Sequence, residues 1–211
     1  MRVLIACECS GRVRDAFICR GYDAMSCDLF ESETPGPHYK GDVRDVLYDG
    51  WDMMVAHPEC TYLSNCGAKH LYVSGRKENG ANFQRWRDMV DAAEFYIMLR
   101  NAPIPMKIIE NPIMHLYSKT LIQPINRQIV QPWHFGDPAF KATGFELINV
   151  PQLKKTNVLT PPKKGTEEHK KWSWVHREPP GPDRKKNRSR TFPGIANAIA
   201  EQYGKLLEAS Q

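Results

Sequence analysis

Three apolar runs in the first third of the sequence are each followed by residues whose side chains can do chemistry. Residues 7–11 follow the first run, Asp28 follows the second, and Cys60 comes shortly after the third. A carboxylate such as Asp28 can accept both ribose hydroxyls of a nucleoside, and a cysteine thiolate is a nucleophile. Because open parallel sheets bind ligands at the carboxyl ends of their strands, this order predicts a nucleoside-binding cleft with a nucleophile beside it.

Two later acids extend the same pattern. Asp42 can accept a hydrogen bond from an adenine amine, although it can equally be an ordinary loop acid. Glu110 follows a further apolar run and can serve as a catalytic carboxyl group or cap a helix. His57 stands three residues before Cys60, and we expect it to be structural rather than catalytic.

Short apolar runs alternate with stretches of helical periodicity along the chain. Predicted strands cover residues 2–6, 24–27 and 52–56, and a further strand starts at 107. Predicted helices cover residues 11–20 and 83–100 and the C-terminal stretch from 193. Strands that alternate with helices indicate an α/β fold with a mostly parallel sheet and helices on both faces.

Positive charge is concentrated in one late segment, although the net charge of the chain is only +5. Residues 151–190 contain twelve Lys or Arg and four acids, which makes that segment +8 and the remainder −3. A basic segment attracts polyanions and releases their counterions. Trp133, Trp172 and Trp174 lie in or near it, and nucleic-acid bases stack on aromatic faces. The segment therefore indicates nucleic-acid binding, with a solvated surface loop as the alternative.

The composition favours a soluble, cytoplasmic protein, and we expect a monomer. No apolar run is long enough to span a bilayer, and the N-terminus lacks a signal-peptide pattern. All six cysteines lie in the first third of the chain without a C-x-x-C pair. We therefore expect neither a metal site nor a disulfide framework.

The order of these motifs resembles that of the cytosine-C5 DNA methyltransferase family, in a compact, phage-type form. The matching segments are Glu8-Cys9-Ser10-Gly11, Asp28, Gly41-Asp42-Val43, Pro58-Glu59-Cys60, Ser64 with Gly67, Glu110-Asn111-Pro112, Phe135-Gly136-Asp137-Pro138 and the closing stretch 194–200. The resemblance spans nearly the whole chain and is closest in the first 112 residues. It implies a Rossmann-like, S-adenosylmethionine-dependent methyltransferase fold with a reduced target-recognition region.

The resemblance also implies a reaction, in which a methyl group passes from S-adenosylmethionine to C5 of cytosine in DNA. Attack of the Cys60 thiolate on C6 would activate C5, while Glu110 would hold N3 and the exocyclic amine. The implied cofactor-binding residues are Glu8, Cys9, Ser10, Gly11, Asp28, Asp42, Val43 and Asn197. The implied substrate-binding residues are Asn111, Ser64, Lys141, Arg188 and Arg190. The cytosine must be flipped out or single-stranded, because C6 is inaccessible in a stacked duplex.

The same resemblance divides the chain into three units. Residues 1–112 are expected to form the catalytic and cofactor-binding core. Residues 113–187 would complete the sheet and carry the basic, reduced target-recognition region, and residues 188–211 would form a helix that packs back on the core. If a phage encodes the protein, its location would be the host cytoplasm.

Two departures from the family pattern leave other functions open. Glu59 stands where family members have proline, and Lys141 alone keeps a charge where the family has arginines. One alternative is an inactive, methyltransferase-like protein that binds DNA. Another is an amino-methyltransferase that acts on adenine N6 or cytosine N4, for which Cys60 would be dispensable. RNA also stays open as a substrate.

Overall fold

The computed structural model describes residues 1–209, which form seven strands and seven α-helices. The strands are β1 (Arg2–Ala6), β2 (Asp23–Asp28), β3 (His38–Lys40), β4 (Met53–Ala56), β5 (Met106–Pro112), β6 (Arg127–Val130) and β7 (Thr143–Ile148). The helices are α1 (Arg12–Ile18), α2 (Phe83–Asn101), α3 (Leu116–Ile122), α4 (Glu167–Trp172), α5 (Trp174–Arg177), α6 (Arg184–Ser189) and α7 (Pro193–Glu208). Residues 210 and 211, at the end of the predicted closing unit, lie outside the described residues.

All seven strands form one sheet in the order β3-β2-β1-β4-β5-β7-β6. The pairs among β1 to β5 are parallel, while β7 runs antiparallel to both β5 and β6. The central strands are nearly continuous apolar runs because both of their faces are covered, as the fully buried β4 illustrates. The predicted α/β, Rossmann-like fold with a mostly parallel sheet is confirmed.

Helices pack on both faces of this sheet, also as predicted. On one face, α1 and α7 contribute Phe17 and Ile199 to a core that includes Ile5 of β1. On the other face, α2 and α3 contribute Tyr96 and Ile122 to a second core. Burial of these apolar side chains is the main favourable contribution to folding. It fixes the strands from both sides and leaves their polar carboxyl ends at one edge.

The strands and helices that were predicted agree with the observed bounds to within two residues. Strands β6 and β7 and helices α3 to α6 were not predicted individually, and neither was β3. This strand was missed because it has three residues, follows a Pro/Gly-rich loop, and pairs only with β2 at the edge of the sheet. A strand this short carries too few positions for an alternating pattern. Across residues 1–209, no helix combines the length and apolarity that crossing a membrane requires.

The later part of the chain completes the sheet and then becomes irregular. β7 inserts between β5 and β6, and its side chains are buried from Thr143 to Leu147. Residues 149–166 contribute only an isolated bridge between Asn157 and Phe135, and three short helices, α4 to α6, follow. The division into units at 112 and 187 stays a prediction. Strands from both sides of residue 112 belong to one continuous sheet.

Candidate active site

The carboxyl ends of β1, β2, β4 and β5 open into a cleft of about 1140 Å³. Strand order reverses between β1 and β4, which is where open α/β sheets bind ligands. The cleft exceeds the roughly 300–1,000 Å³ of common small-molecule pockets, so it has room for a cofactor and part of a second ligand. Within residues 1–209, no group of three or more His, Cys, Asp or Glu is placed to hold a metal ion.

Two sets of side chains, called walls below, line this cleft. The strand-end wall consists of Glu8, Asp28, Cys60 and Glu110, which lie within or directly after β1, β2, β4 and β5. The basic wall consists of Lys141, Lys185, Arg188 and Arg190, which come from the segment before β7 and from α6 and its C-terminal end. The sequence-predicted nucleophile, carboxylate and cations are therefore brought together.

Cys60 lies in a tight turn after β4. Its carbonyl accepts hydrogen bonds from the backbone N–H groups of Leu63 (3.1 Å) and Ser64 (2.9 Å). Burial raises the pKa of the Cys60 thiol to about 11; the negative charge of Glu110 adds to this rise, and Lys141 opposes it. The thiol is therefore protonated at neutral pH, and it needs added positive charge or a base before it can act as a nucleophile.

Glu110 and His57 form a buried pair next to this thiol. Glu110 lies in β5, and His57 follows the neighbouring β4, with its Nδ1 3.9 Å from Glu110 Oε2. Their side chains are only 14% and 10% exposed. Glu110 Oε1 and His57 Nε2 are buried, and neither has a hydrogen-bond partner among residues 1–209. Because unpaired buried polar atoms are costly, these two atoms are expected to meet a ligand.

Lys141 brings a cation to the same part of the cleft. Burial lowers the pKa of its ammonium group, although the negative charges of Glu110 and Cys60 oppose that change. Its Nζ lies 3.3 Å from the carbonyl oxygen of Ser189 and 3.4 Å from that of Arg190. These carbonyls hold the cation where its charge opposes the rise in the pKa of the Cys60 thiol.

Glu8, Ser10 and Asp28 line the cleft at the ends of β1 and β2. Glu8 Oε1 accepts hydrogen bonds from Ser10 Oγ (2.7 Å) and from the backbone N–H of Val13 (3.1 Å). The second carboxylate oxygen of Glu8 is buried and has no partner among the described residues. Burial raises the pKa of the Asp28 carboxyl group. Cys9 is half-buried and completes this side of the cleft.

Gly11 starts α1 beside the cleft but does not line it. Its φ of +72° lies in the left-handed region, and a Cβ there would come within 2.2 Å of Thr34 Oγ1. Arg14 of α1 is fully buried and donates hydrogen bonds to Ser32 Oγ (2.9 Å) and Thr34 Oγ1 (2.7 Å). These bonds tie the loop after β2 to α1. Sequence reasoning missed this role, although an arginine on a short amphipathic helix was the available signal.

The predicted adenine-binding residues lie outside the lining of the cleft. The Asp42 carboxylate accepts hydrogen bonds from the backbone N–H (2.9 Å) and the Nη1 (2.7 Å) of Arg44. It thus caps a short 3-10 turn, and its pKa is lowered chiefly by the first of these bonds. Val43 is buried in the core on the α2 face. Contact of Asp42 or Val43 with a cofactor stays a prediction.

Asn197 and Asn111 also lie outside the lining. Asn197 is on α7, where its Oδ1 accepts a hydrogen bond from Arg20 Nη1 (3.3 Å). Asn111 alternates with Glu110 along β5, so its side chain lies on the opposite face of the sheet, buried and without a hydrogen-bond partner among residues 1–209. The cofactor role of Asn197 and the substrate role of Asn111 remain predictions.

Ion pairs join the basic wall to acids at the rim of the cleft. Arg190 Nε lies 2.9 Å from Glu33 Oε2, and Lys185 pairs with Glu59. Burial alone would raise the pKa of Glu59, but hydrogen bonds from Lys185 and Thr61 outweigh burial and lower it. Thus Glu59, the departure from the family pattern, is engaged by the basic wall. Arg188 differs, since its Nε is buried without a partner in the described chain.

Further cations come from a segment that the sequence analysis did not single out. Lys69 and Arg85 line the cleft, and the Arg85 guanidinium lies 4.2 Å from the centre of the Tyr62 ring. The predicted residue Ser64 lines the same region, with its Oγ 3.2 Å from Cys66 Sγ. The available signal was the run of basic residues between 69 and 87, which follows the nucleophile in the sequence.

No protein-family model matches the chain, and no curated protein sequence matches it. Solved structures are similar to it. One, described as a DNA modification methyltransferase encoded within an E. coli prophage, is 11% identical, with a TM-score of 0.42 over 69% of this chain and 45% of that one. The Entamoeba histolytica methyltransferase EhMeth is 14% identical, with a TM-score of 0.49 over 75% and 57%. The S. pombe Dnmt2 methyltransferase is 13% identical, with a TM-score of 0.40 over 72% and 51%.

The likeness is one of fold. All three structures are described as methyltransferases. The chain spans about half the length of these proteins.

Proposed function

We propose that the protein is an S-adenosylmethionine-dependent DNA methyltransferase that acts on C5 of cytosine, with Cys60 as the nucleophile. The observation that carries this proposal is the meeting of Cys60 and Glu110 in a cleft that Glu8 and Asp28 also line. A thiol and a carboxyl group beside a nucleoside-binding strand edge are the groups that this reaction needs.

The residues at the ends of β1 and β2 fit the cofactor. Glu8 presents a buried, unpartnered carboxylate oxygen, which suits a ligand with polar or positively charged groups. Ser10, Cys9 and Asp28 would hold the rest of the cofactor at this edge, with Asp28 accepting the ribose hydroxyls. When bound, S-adenosylmethionine supplies the methyl group. Its positive charge would also favour the thiolate form of Cys60.

The remaining steps belong to the chain's own side chains. The Cys60 thiolate would attack C6 of the cytosine, which makes the ring an enamine that is nucleophilic at C5. The Glu110 carboxyl group would share a proton with N3 and accept a hydrogen bond from the exocyclic amine, and its Oε1 is buried without a hydrogen-bond partner among residues 1–209. Lys141 would stabilise the thiolate before attack, since its charge lowers the pKa of Cys60.

DNA is the proposed partner, with the target cytosine flipped out or already single-stranded. Lys141, Arg188 and Arg190 would contact the backbone or the base, and Ser64 would contact the nucleotide near Cys60. We also propose that the protein is a monomer and that it acts in the cytoplasm, which would be that of the host cell if a phage encodes it. The finer roles of Asn111 and Asn197 are part of the same proposal.

An oligonucleotide that contains 5-fluorocytosine tests the proposal, because fluorine at C5 cannot leave as a cation and the adduct persists. With S-adenosylmethionine present, we expect a covalent DNA–protein adduct that survives denaturation and maps to Cys60. Cys60→Ser should form none. Cys66→Ser is the matched control, since Cys66 lines the same cleft, and it should still form the adduct.

Two results would replace this proposal with an alternative. Cofactor binding by calorimetry without any adduct would indicate the inactive, DNA-binding relative. Methyl transfer to adenine N6 or cytosine N4 that survives in Cys60→Ser would indicate an amino-methyltransferase. Running the assay on RNA and DNA oligonucleotides of the same sequence would separate the two nucleic acids.

A further inference from the structure

His57 is a buried, nine-tenths covered side chain whose outer nitrogen has no protein partner. Its Nδ1 faces Glu110 Oε2 at 3.9 Å, while Nε2 is buried and unpaired among residues 1–209. It lines the same cleft as Cys60. A histidine that served only the core would be expected to satisfy both ring nitrogens within the protein.

The backbone places His57 between the ends of β1 and β5, two of the strands that open into the cleft. The His57 N–H donates a hydrogen bond to the carbonyl of Ala6 (2.9 Å), at the end of β1. β4, which His57 follows, lies between β1 and β5 in the sheet. The backbone of His57 therefore lies between the strand that leads to Glu8 and the strand that carries Glu110.

The order of the ring atoms in cytosine indicates which atom would lie near His57. Atoms C4, C5 and C6 follow one another along one edge of the ring. If Glu110 holds the amine on C4 and Cys60 attacks C6, then C5 faces the space between these two residues. Of the groups that line this cleft, His57 is the one that combines 3.9 Å to Glu110 Oε2 with a place three residues before Cys60, so it is the side chain we assign to that space.

We infer that His57 is the base that removes the C5 proton after methyl transfer, an inference that rests on the proposed function. The Nε2 lone pair takes the proton, and the electrons of the C5–H bond form the C5=C6 double bond. The C6–S bond breaks, and its electron pair returns to Cys60 as a thiolate. The proton on His57 then passes to solvent.

The Glu110 carboxyl group lies on the Nδ1 side of the His57 ring, away from Nε2. Glu110 Oε2 lies 3.9 Å from Nδ1, too far for a hydrogen bond, but its position on that side of the ring is compatible with hydrogen on Nδ1 and the lone pair on Nε2. The other histidines that line the cleft, His70 and His176, are exposed to solvent. Among the cleft carboxylates, Glu59 is engaged by Lys185.

The test separates attack at C6 from proton removal at C5. His57→Gln keeps a hydrogen-bonding side chain but removes the basic nitrogen, and His70→Gln is the matched control. On an oligonucleotide with tritium at C5 of the target cytosine, we expect His57→Gln to release tritium about 100-fold more slowly than the unaltered protein. On 5-fluorocytosine, its adduct should form within about threefold of the normal rate, because trapping needs no proton removal. On ordinary cytosine, a denaturation-resistant, methylated adduct should accumulate.

Two outcomes would overturn the inference. Tritium release by His57→Gln within about threefold of normal would show that another group takes the proton. Parallel loss of tritium release and of the 5-fluorocytosine adduct would place His57 at or before thiolate attack. If the unaltered protein forms no adduct at all, the proposed function itself fails, which is a different result from either of these.

Discussion

The two walls of the cleft are built in contrasting ways. Glu8, Asp28, Cys60 and Glu110 of the strand-end wall are placed by paired strands whose register is fixed by two apolar cores. The basic wall rests mainly on α6, a six-residue helix with no buried residue, which ion pairs hold against the rim. One wall is fixed by the core, and the other is held by exposed charges.

This difference separates chemistry from binding. Bond-forming groups need positions fixed to a fraction of an ångström, which strand ends supply. Phosphate contacts tolerate movement, because attraction between charges depends weakly on direction. We therefore expect changes in the strand-end wall to affect the rate of the reaction, and changes in the basic wall to affect affinity for nucleic acid.

The largest expected effect is that of Glu110→Gln. The amide cannot carry the proton that Glu110 would share with N3, so turnover should fall by about 10²–10³-fold. Affinity for the oligonucleotide should change by less than about threefold, because phosphate contacts are untouched. Single-turnover methylation rates and equilibrium binding titrations measure the two quantities on the same preparation.

Glu59→Gln is the matched control for this change. Glu59 also lines the cleft, but it lies at the rim and pairs with Lys185. Its turnover should stay within about threefold of the unaltered protein. Equal losses in both variants would mean that any cleft carboxylate matters, and the division between the two walls would then be wrong.

Most of the strand-end wall could be predicted because its signals are local. Continuous apolar runs such as Met53–Ala56 mark central strands, and the polar residue that follows each run must emerge at the carboxyl edge. The helix Phe83–Asn101 was predictable from its periodicity and length. The strand His38–Lys40 was not, because three edge residues carry no period.

The contacts of the basic wall could not be predicted, because their partners are distant in sequence. Arg190 and Glu33 are 157 positions apart, and no local pattern joins them. Asp42 illustrates the opposite case, a contact between near neighbours: Arg44 donates a hydrogen bond to its carboxylate, and the predicted adenine contact of Asp42 stays a prediction. Residue type predicts what a side chain can bind, whereas tertiary placement decides what it does bind.

An intermediate effect is expected where the two walls meet, at Lys141. Alkylation requires the thiolate, so the reaction of Cys60 with iodoacetamide should rise with pH toward its pKa of about 11. Lys141 lowers that pKa, so Lys141→Met should raise it and slow alkylation at pH 9 by roughly tenfold. Mass spectrometry of the peptide that carries Cys60 gives the rate.

Two controls accompany this measurement. The exposed thiol of Cys66, read in the same digest, reports whether reagent reactivity is unchanged. Lys69→Met removes another cation that lines the cleft and should leave the alkylation rate of Cys60 within about twofold. If Lys141→Met alkylates as fast as the unaltered protein, the basic wall does not act on the nucleophile.

The smallest effects are expected from single changes in α6, and they should appear in binding rather than in rate. Lys185→Gln and Arg188→Gln each remove one charge from the basic wall, so each should weaken oligonucleotide binding several-fold. The slope of log affinity against log salt should shrink by about one per lost phosphate contact, whatever the base sequence. Lys205→Gln removes the same charge from α7, away from the cleft, and should alter neither quantity.

The Arg188 variant gives the simpler result of the two. Its Nε is buried without a hydrogen-bond partner among residues 1–209, whereas loss of Lys185 also leaves Glu59 without its ion pair. A fall in single-turnover rate at saturating DNA, with affinity and salt slope unchanged, would show that α6 takes part in the chemistry and is not only a phosphate contact.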